Sequence, residues 1–255
     1  MKIATWNVNS IRKRLDRVIP WLAEHRPDVL CVQETKVEDA AFPRAEIEAT
    51  GYRVLCHGQK TYNGVALLSR EPVFGPVEGF GDNVQDEQAR FLVARMGDLR
   101  VGTVYVPNGQ EVGSEKFRYK LDWMRRWREW LAANADAATD LAFCGDLNVA
   151  PDDRDVYDPV AWKDQVLCSP EERAALAEVC RWGLVDAFRQ HHPEPGLYSW
   201  WDYRQLAFPM NHGLRIDMIL CSPSLAKRCT GVEIDRDARK GKNPSDHAPV
   251  IAEFK

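Results

Sequence analysis

Residues 2–34 read KIATWNVNSIRKRLDRVIPWLAEHRPDVLCVQE, and three patterns follow one another within them. From Lys2 to Val8 the side chains alternate, with Ile3, Thr5 and Asn7 on one face and Ala4, Trp6 and Val8 on the other, as a strand requires. Asn7 therefore emerges at the far end of that strand. Residues 11–25 carry Ile11, Leu15, Val18 and Leu22 at spacings of 4, 3 and 4, a helical stripe in which Pro20 marks a kink or a start. Asp28 to Glu34 predicts a buried strand that ends in a carboxylate.

The same punctuation continues outward from this stretch. Tyr52–Cys56, Gly64–Ser69, Phe91–Met96 and Arg100–Pro107 read as strands, separated by turn-rich pieces such as TYNG and EGFGDN. Strands this close, with no helix between them, predict antiparallel pairing. Phe117, Leu121, Met124, Trp127 and Leu131 mark a second amphipathic helix, with Ser114 as N-cap and Glu115 in its first turn. A third begins at the capping box of Ser169, Pro170 and Glu172, carries Leu176 and Val179 as its stripe and stops at Gly183. Leu214–Cys221 and Ala248–Phe254 are the last strands. The expected class is α+β, with layers around one core and a single domain over residues 1–255.

Composition excludes several classes. With 255 residues, 45% hydrophobic and nine Trp, the chain carries too much apolar material for disorder. No stretch approaches the roughly 18 apolar residues of a membrane span, and the first residues turn polar and basic before an export signal can form. The seven Cys are an odd set without a C-x-x-C pair, which predicts reduced thiols in the cytoplasm and no zinc. The net charge of -4 argues mildly against a nucleic-acid partner. Charge is segregated, however: Arg12, Lys13, Arg14 and Arg17 cluster near one end and Arg236, Arg239, Lys240 and Lys242 near the other.

Four apolar runs carry polar residues where burial makes them costly: Glu34 after VLCV, Asp146 and Asn148 after LAFC, Asp217 inside LRIDMIL, and Asp246-His247 before APVI. A buried charge costs several kcal/mol unless it is paired or metal-bound, so four such residues ask for a common cause. Carboxylates converging on a hard cation supply it, and oxygen ligands without a Cys or His cluster point to Mg²⁺ or Mn²⁺ and phosphoryl-ester hydrolysis. Asp146 and Asn148, two apart in extended chain, point the same way; Asp246 and His247, being adjacent, face different partners. Asp217 suits the second ring nitrogen of His247, which a phosphate favours as a cation, although Arg215 offers Asp217 another partner.

These residues fall in TWNVNS (5–10), PDVLCVQETK (27–36), YNGVALLS (62–69), VYVPNG (104–109), KFRYKLDWM (116–124), CGDLNVAP (144–151), YSWWDYR (198–204), LRIDMIL (214–220) and PSDHAPV (244–250). Through them the chain resembles, along essentially its whole length, the exonuclease III type of AP endonuclease in the endonuclease/exonuclease/phosphatase superfamily. The resemblance implies a DNase I-like four-layered α/β sandwich, two packed, largely antiparallel mixed sheets flanked by helices, with the site where the strand ends meet. It implies Glu34 as principal metal ligand, with Asn7 beside it and Asp246 near the same Mg²⁺ (or Mn²⁺). Asp146 orients or deprotonates the attacking water and Asn148 positions it; His247, paired with Asp217, binds a phosphate oxygen; Tyr105 acts there as donor or phenolate.

Trp200, Leu214 and Ile216 match the family's abasic-sugar pocket, with Leu214 standing where close relatives often carry Trp, while Trp201 reads as core. Asn108 and Asn9 join the DNA-facing set. The implied activity is divalent-metal-dependent hydrolysis of duplex DNA, 5′ of abasic sites or at nucleotides and blocking groups on 3′ ends, leaving a 3′-hydroxyl, by a monomer in the cytoplasm. Two rival readings are disfavoured. A phosphatase or phosphodiesterase of the same superfamily with a non-DNA substrate lacks support from SWWDYR and LRIDMIL, and a non-catalytic DNA-binding relative is opposed by the complete set of polar residues.

Overall fold

The computed structural model describes all 255 residues. Its strands are β1 (Lys2–Asn7), β2 (Val29–Gln33), β3 (Arg53–His57), β4 (Val65–Ser69), β5 (Phe74–Glu78), β6 (Phe91–Met96), β7 (Leu99–Tyr105), β8 (Leu141–Asp146), β9 (Val185–Asp186), β10 (Asp217–Cys221), β11 (Cys229–Ile234) and β12 (Val250–Phe254). Its helices are α1 (Leu15–His25), α2 (Arg44–Glu48), α3 (Glu115–Asn134), α4 (Pro170–Arg181), α5 (Ala187–His191) and α6 (Pro223–Ala226). They build two six-stranded sheets, ordered β11-β12-β1-β2-β4-β3 and β5-β6-β7-β8-β10-β9.

The alternation read in the first strand sets the layers. Ile3 joins Val29, Cys31, Val65 and Leu67 on the inner face of one sheet, against Leu92, Val101, Ala142, Cys144 and Ile219 of the other. Ala4, Trp6 and Val8 turn outward and pack with Leu30 and Val32 against Val18, Trp21 and Leu22 of α1. On the opposite outer face Phe91, Val104, Phe143 and Met218 meet Trp123, Trp127 and Leu131 of α3 and Leu176 and Val179 of α4. The result is helix, sheet, sheet, helix, as expected from the resemblance.

Ser114 accepts the Phe117 N–H as N-cap of α3, and Ser169 with Glu172 closes the capping box of α4. The expected antiparallel pairing holds for β3 with β4 and for β6 with β7, and the mixed character of the sheets comes from β1–β2 and β7–β8 at their centres, which are parallel because a helix-bearing crossover leads from the first to the second of each pair. Two expectations are corrected. The first helix starts at Leu15 rather than Ile11, since Asn9 (φ 46) and Ser10 (φ 91) turn the chain before it; Pro20 then lies inside it. Leu214 belongs to no strand and meets Trp200 and Val156 in isolated bridges. Within the first sheet β12 is hydrogen-bonded to β1, joining segments from opposite ends of the chain.

Candidate active site

The two parallel pairs deliver the site. In the first sheet Asn7, the last residue of β1, lies opposite Gln33 of β2, and the chain then turns through Glu34. Glu34 adopts φ 53, a left-handed conformation that costs a residue with a Cβ about 1 kcal/mol or more. That turn swings its carboxylate back, so that the Asn7 amide Nδ2 donates to Glu34 Oε1 at 2.8 Å and to Asp146 Oδ2 at 2.9 Å. One amide thus ties the ends of both sheets together.

In the second sheet the register sets Tyr105 of β7 beside Asp146 of β8, and Asp146 beside Asp217 of β10. Asp217 Oδ2 accepts from Ser199 Oγ at 2.7 Å and lies 2.8 Å from His247 Nδ1, while His247 Nε2 points to Asp146 Oδ2 at 3.7 Å. Arg215 does not compete for Asp217: its guanidinium is held by Asp155 and Asp186. Asp246 faces away from His247, accepting from Asn9 Nδ2 at 2.9 Å and from Trp200 Nε1 at 3.1 Å. Asp146 Oδ1 accepts the Asn148 N–H at 2.9 Å, and Asn108 Nδ2 donates to Asn148 Oδ1 at 3.1 Å. The two-residue spacing therefore works through a turn at Asn148 (φ 49), not through extended chain.

The electrostatics are those of crowded carboxylates. Burial pushes the Asp146 carboxyl up to about 7, opposed by His247 and reinforced by Asp217 and Glu34. Burial works against a charge on His247, but Asp217 and Asp146 overcome it and raise the imidazole to about 10. Burial also opposes the Asp246 charge, and His247, Asn9 and Trp200 nonetheless hold it below the usual carboxylate range. Loss of water, and then the Glu34 carboxylate, keep the Tyr105 phenol protonated. Ligand atoms of Glu34, Asp146 and His247 lie within 4.8 Å of one another, and with the imidazole cationic the two carboxylates are the groups of this cluster that can face a divalent cation. The acidic and amide oxygens around it, with all seven thiols elsewhere and unpaired, are the donor set of a hard one.

Asn9, of the expected DNA-facing set, bonds Asp246 and Lys36. Two placements differ from expectation. Leu214 and Ile216 are 0% and 1% exposed, packed with Trp162, Val166 and Trp200, so that of the three expected pocket residues only Trp200 shows surface. Trp201 is core, as read from the sequence. Two contributors went unseen in the sequence: Lys36, whose ammonium sits 2.6 Å from Glu34 Oε2, and Ser199, which orients Asp217. Lys36 stands two residues after Glu34 in QETK, the one signal available. The basic clusters from the two ends meet in space, because Arg17 donates to the carbonyls of Ala238 and Lys242 and Arg14 to those of Asn9 and Pro244. On the other flank a groove of about 550 Å³ is lined by Tyr62, Gln88, Arg90, Asn108 and Lys116.

Two packed sheets whose strand ends gather carboxylates, amides and a cationic histidine define a metal-dependent phosphodiesterase. The chain belongs to the Endonuclease/Exonuclease/phosphatase family, whose sequence model matches residues 4–247, and within it to the exonuclease III type of DNA-repair hydrolases. It is 38% identical over 267 aligned residues to the exodeoxyribonuclease III of Haemophilus influenzae, with 100% of both chains covered. Among solved structures it is similar to an AP endonuclease from Archaeoglobus fulgidus at 41% identity, with a TM-score of 0.96 and 100% and 99% of the two chains covered. The same figures describe a 3′ phosphatase from Neisseria bound to product DNA hairpin.

Proposed function

We propose that residues 1–255 form one catalytic unit, a monomer that hydrolyses duplex DNA 5′ of abasic sites and removes nucleotides and blocking groups from 3′ ends, with Mg²⁺ or Mn²⁺ as cofactor. The observation that carries this reading is the convergence of Glu34, Asp146 and His247, with Asn7 bridging the two carboxylates. Glu34, with Asn7 and Asp246 nearby, would hold a divalent cation, which would supply charge neutralisation at the phosphate. Asp146 takes the proton of the attacking water, and Asn148, bonded to it, orients that water. His247, kept cationic by Asp217, donates to a non-bridging oxygen where negative charge builds, and the protonated Tyr105 is a donor beside it. Attack on phosphorus breaks its bond to the 3′ oxygen, which leaves as a hydroxyl and puts the phosphate on the 5′ end.

DNA lies across the site between the joined basic clusters and the groove beside Asn108, with Asn9 holding Asp246 on that face and Trp200 as the open wall of the lesion pocket. Seven free thiols favour action in the cytoplasm, and no helix is long and apolar enough to cross a membrane. The test uses a 5′-labelled duplex with one tetrahydrofuran abasic analogue, which resists β-elimination, and a second duplex ending in a 3′-phosphate. Cleavage in Mg²⁺, its loss in EDTA and its loss in Asp146→Asn are expected. Cutting that persists in EDTA or in the variant contradicts the site, and no action on either duplex turns the reading to a non-DNA phosphate ester.

A further inference from the structure

Lys120 of α3 and Glu172 of α4 form an ion pair with both side chains at 0% exposure. Withdrawing both charges from water is unfavourable enough that apolar side chains of the same volume stabilise a core as well or better. The remaining bonds of the ammonium lead to the active site. Lys120 Nζ donates to the backbone oxygen of Asn148 at 2.6 Å and to that of Asn108 at 3.1 Å, so that with Glu172 its three donors are all used. These are the two residues whose side-chain amides bond each other next to Asp146.

Both ends of this arrangement are fixed. Asn148 holds a left-handed backbone (φ 49), a conformation that persists where its surroundings over-determine it. Glu172 Oε1 accepts the Ser169 N–H at 2.8 Å in the cap of α4, which locates the carboxylate that locates the ammonium. Gly109 (φ +91) leaves room for the lysine stem, because a Cβ there stands 3.0 Å from Lys120 Cδ.

We propose that Lys120 is a positioning residue for phosphodiester hydrolysis: its buried ammonium clamps the carbonyls of Asn108 and Asn148 and so fixes the amides that orient the attacking water at Asp146. The inference rests on the role given to Asn148 above. The test compares wild type, Asn148→Ala, Lys120→Met, the two combined, and Lys120→Met with Glu172→Gln, on the duplex that the wild type cuts faster. Lys120→Met is expected to lower kcat about 10- to 100-fold with little change in KM, because a small misplacement of a catalytic group is that costly. Added to Asn148→Ala it is expected to lower kcat no further, since both changes act through one amide. The Glu172→Gln pairing, which removes the unpaired charge, is expected to restore the melting temperature without restoring kcat.

Losses that multiply in the combined variant, or a rate that returns with the melting temperature, overturn the proposal in favour of a structural pair. Lys120→Met at full rate while Asn148→Ala is impaired overturns it alone. Asn148→Ala at full rate overturns the role of Asn148 itself.

Discussion

At the scale of single residues, His247 shows how the protein sets a charge. Its folded value of about 10 exceeds the ordinary 6.5, against burial and by virtue of Asp217 and Asp146. The folded state therefore binds the extra proton between those limits, so this group's contribution to stability is fully present below about 6.5 and is lost as pH rises through about 10. Replacing Asp217 by Asn removes the nearest carboxylate, at 2.8 Å. The alkaline limb of kcat/KM is expected to move from near 10 toward neutrality, with about 100-fold lower activity at pH 8; an alkaline limb that stays in place contradicts the pairing. Asp217 was legible in the sequence because a carboxylate inside LRIDMIL needs a partner, although the choice between Arg215 and His247 needed the structure. Lys36, Ser199 and Lys120 were not, since lysines and serines beside strands and on helices are ordinary until their partners are seen.

At the scale of elements, β7 and β8 approach so closely that Gly145 has no room for a side chain: a Cβ would stand 1.8 Å from the Val104 carbonyl oxygen. Gly145→Ala is expected to destabilise the protein by about 2 kcal/mol or more, since the obstructing atom is backbone in a packed sheet. Thermal unfolding measures this, at about 2–4 °C per kcal/mol for a chain of this size. Because Asp146 follows directly, kcat should fall in the fraction that remains folded. Central strands could be read because they are buried runs with polar ends. The edge strands β5 and β11 could not: FGPVE is mostly exposed and carries a Pro, and CTGVEI is interrupted by a register shift. Parallel pairing was hidden because it depends on where α1 and α3 carry the chain, not on residues within the strands.

At the scale of the whole molecule, a net charge of -4 coexists with a basic face because the arginines and lysines near the two ends of the sequence meet there. Arg12, Lys13 and Lys242 stay exposed on the face joined by Arg17. Replacing Arg12 and Lys13 by Ser is expected to weaken DNA binding and reduce the slope of log K against log[salt] by about 0.9 for each phosphate no longer neutralised. A slope equal to that of the wild type removes this face from the interface. The pairing of β1 with β12 bears on the order of assembly during synthesis. The second sheet is complete once Cys221 has left the ribosome, whereas the first waits for Phe254, and Asp246 and His247 arrive with that last strand. Nuclease activity is thus withheld from a growing chain until β12 has emerged and paired with β1.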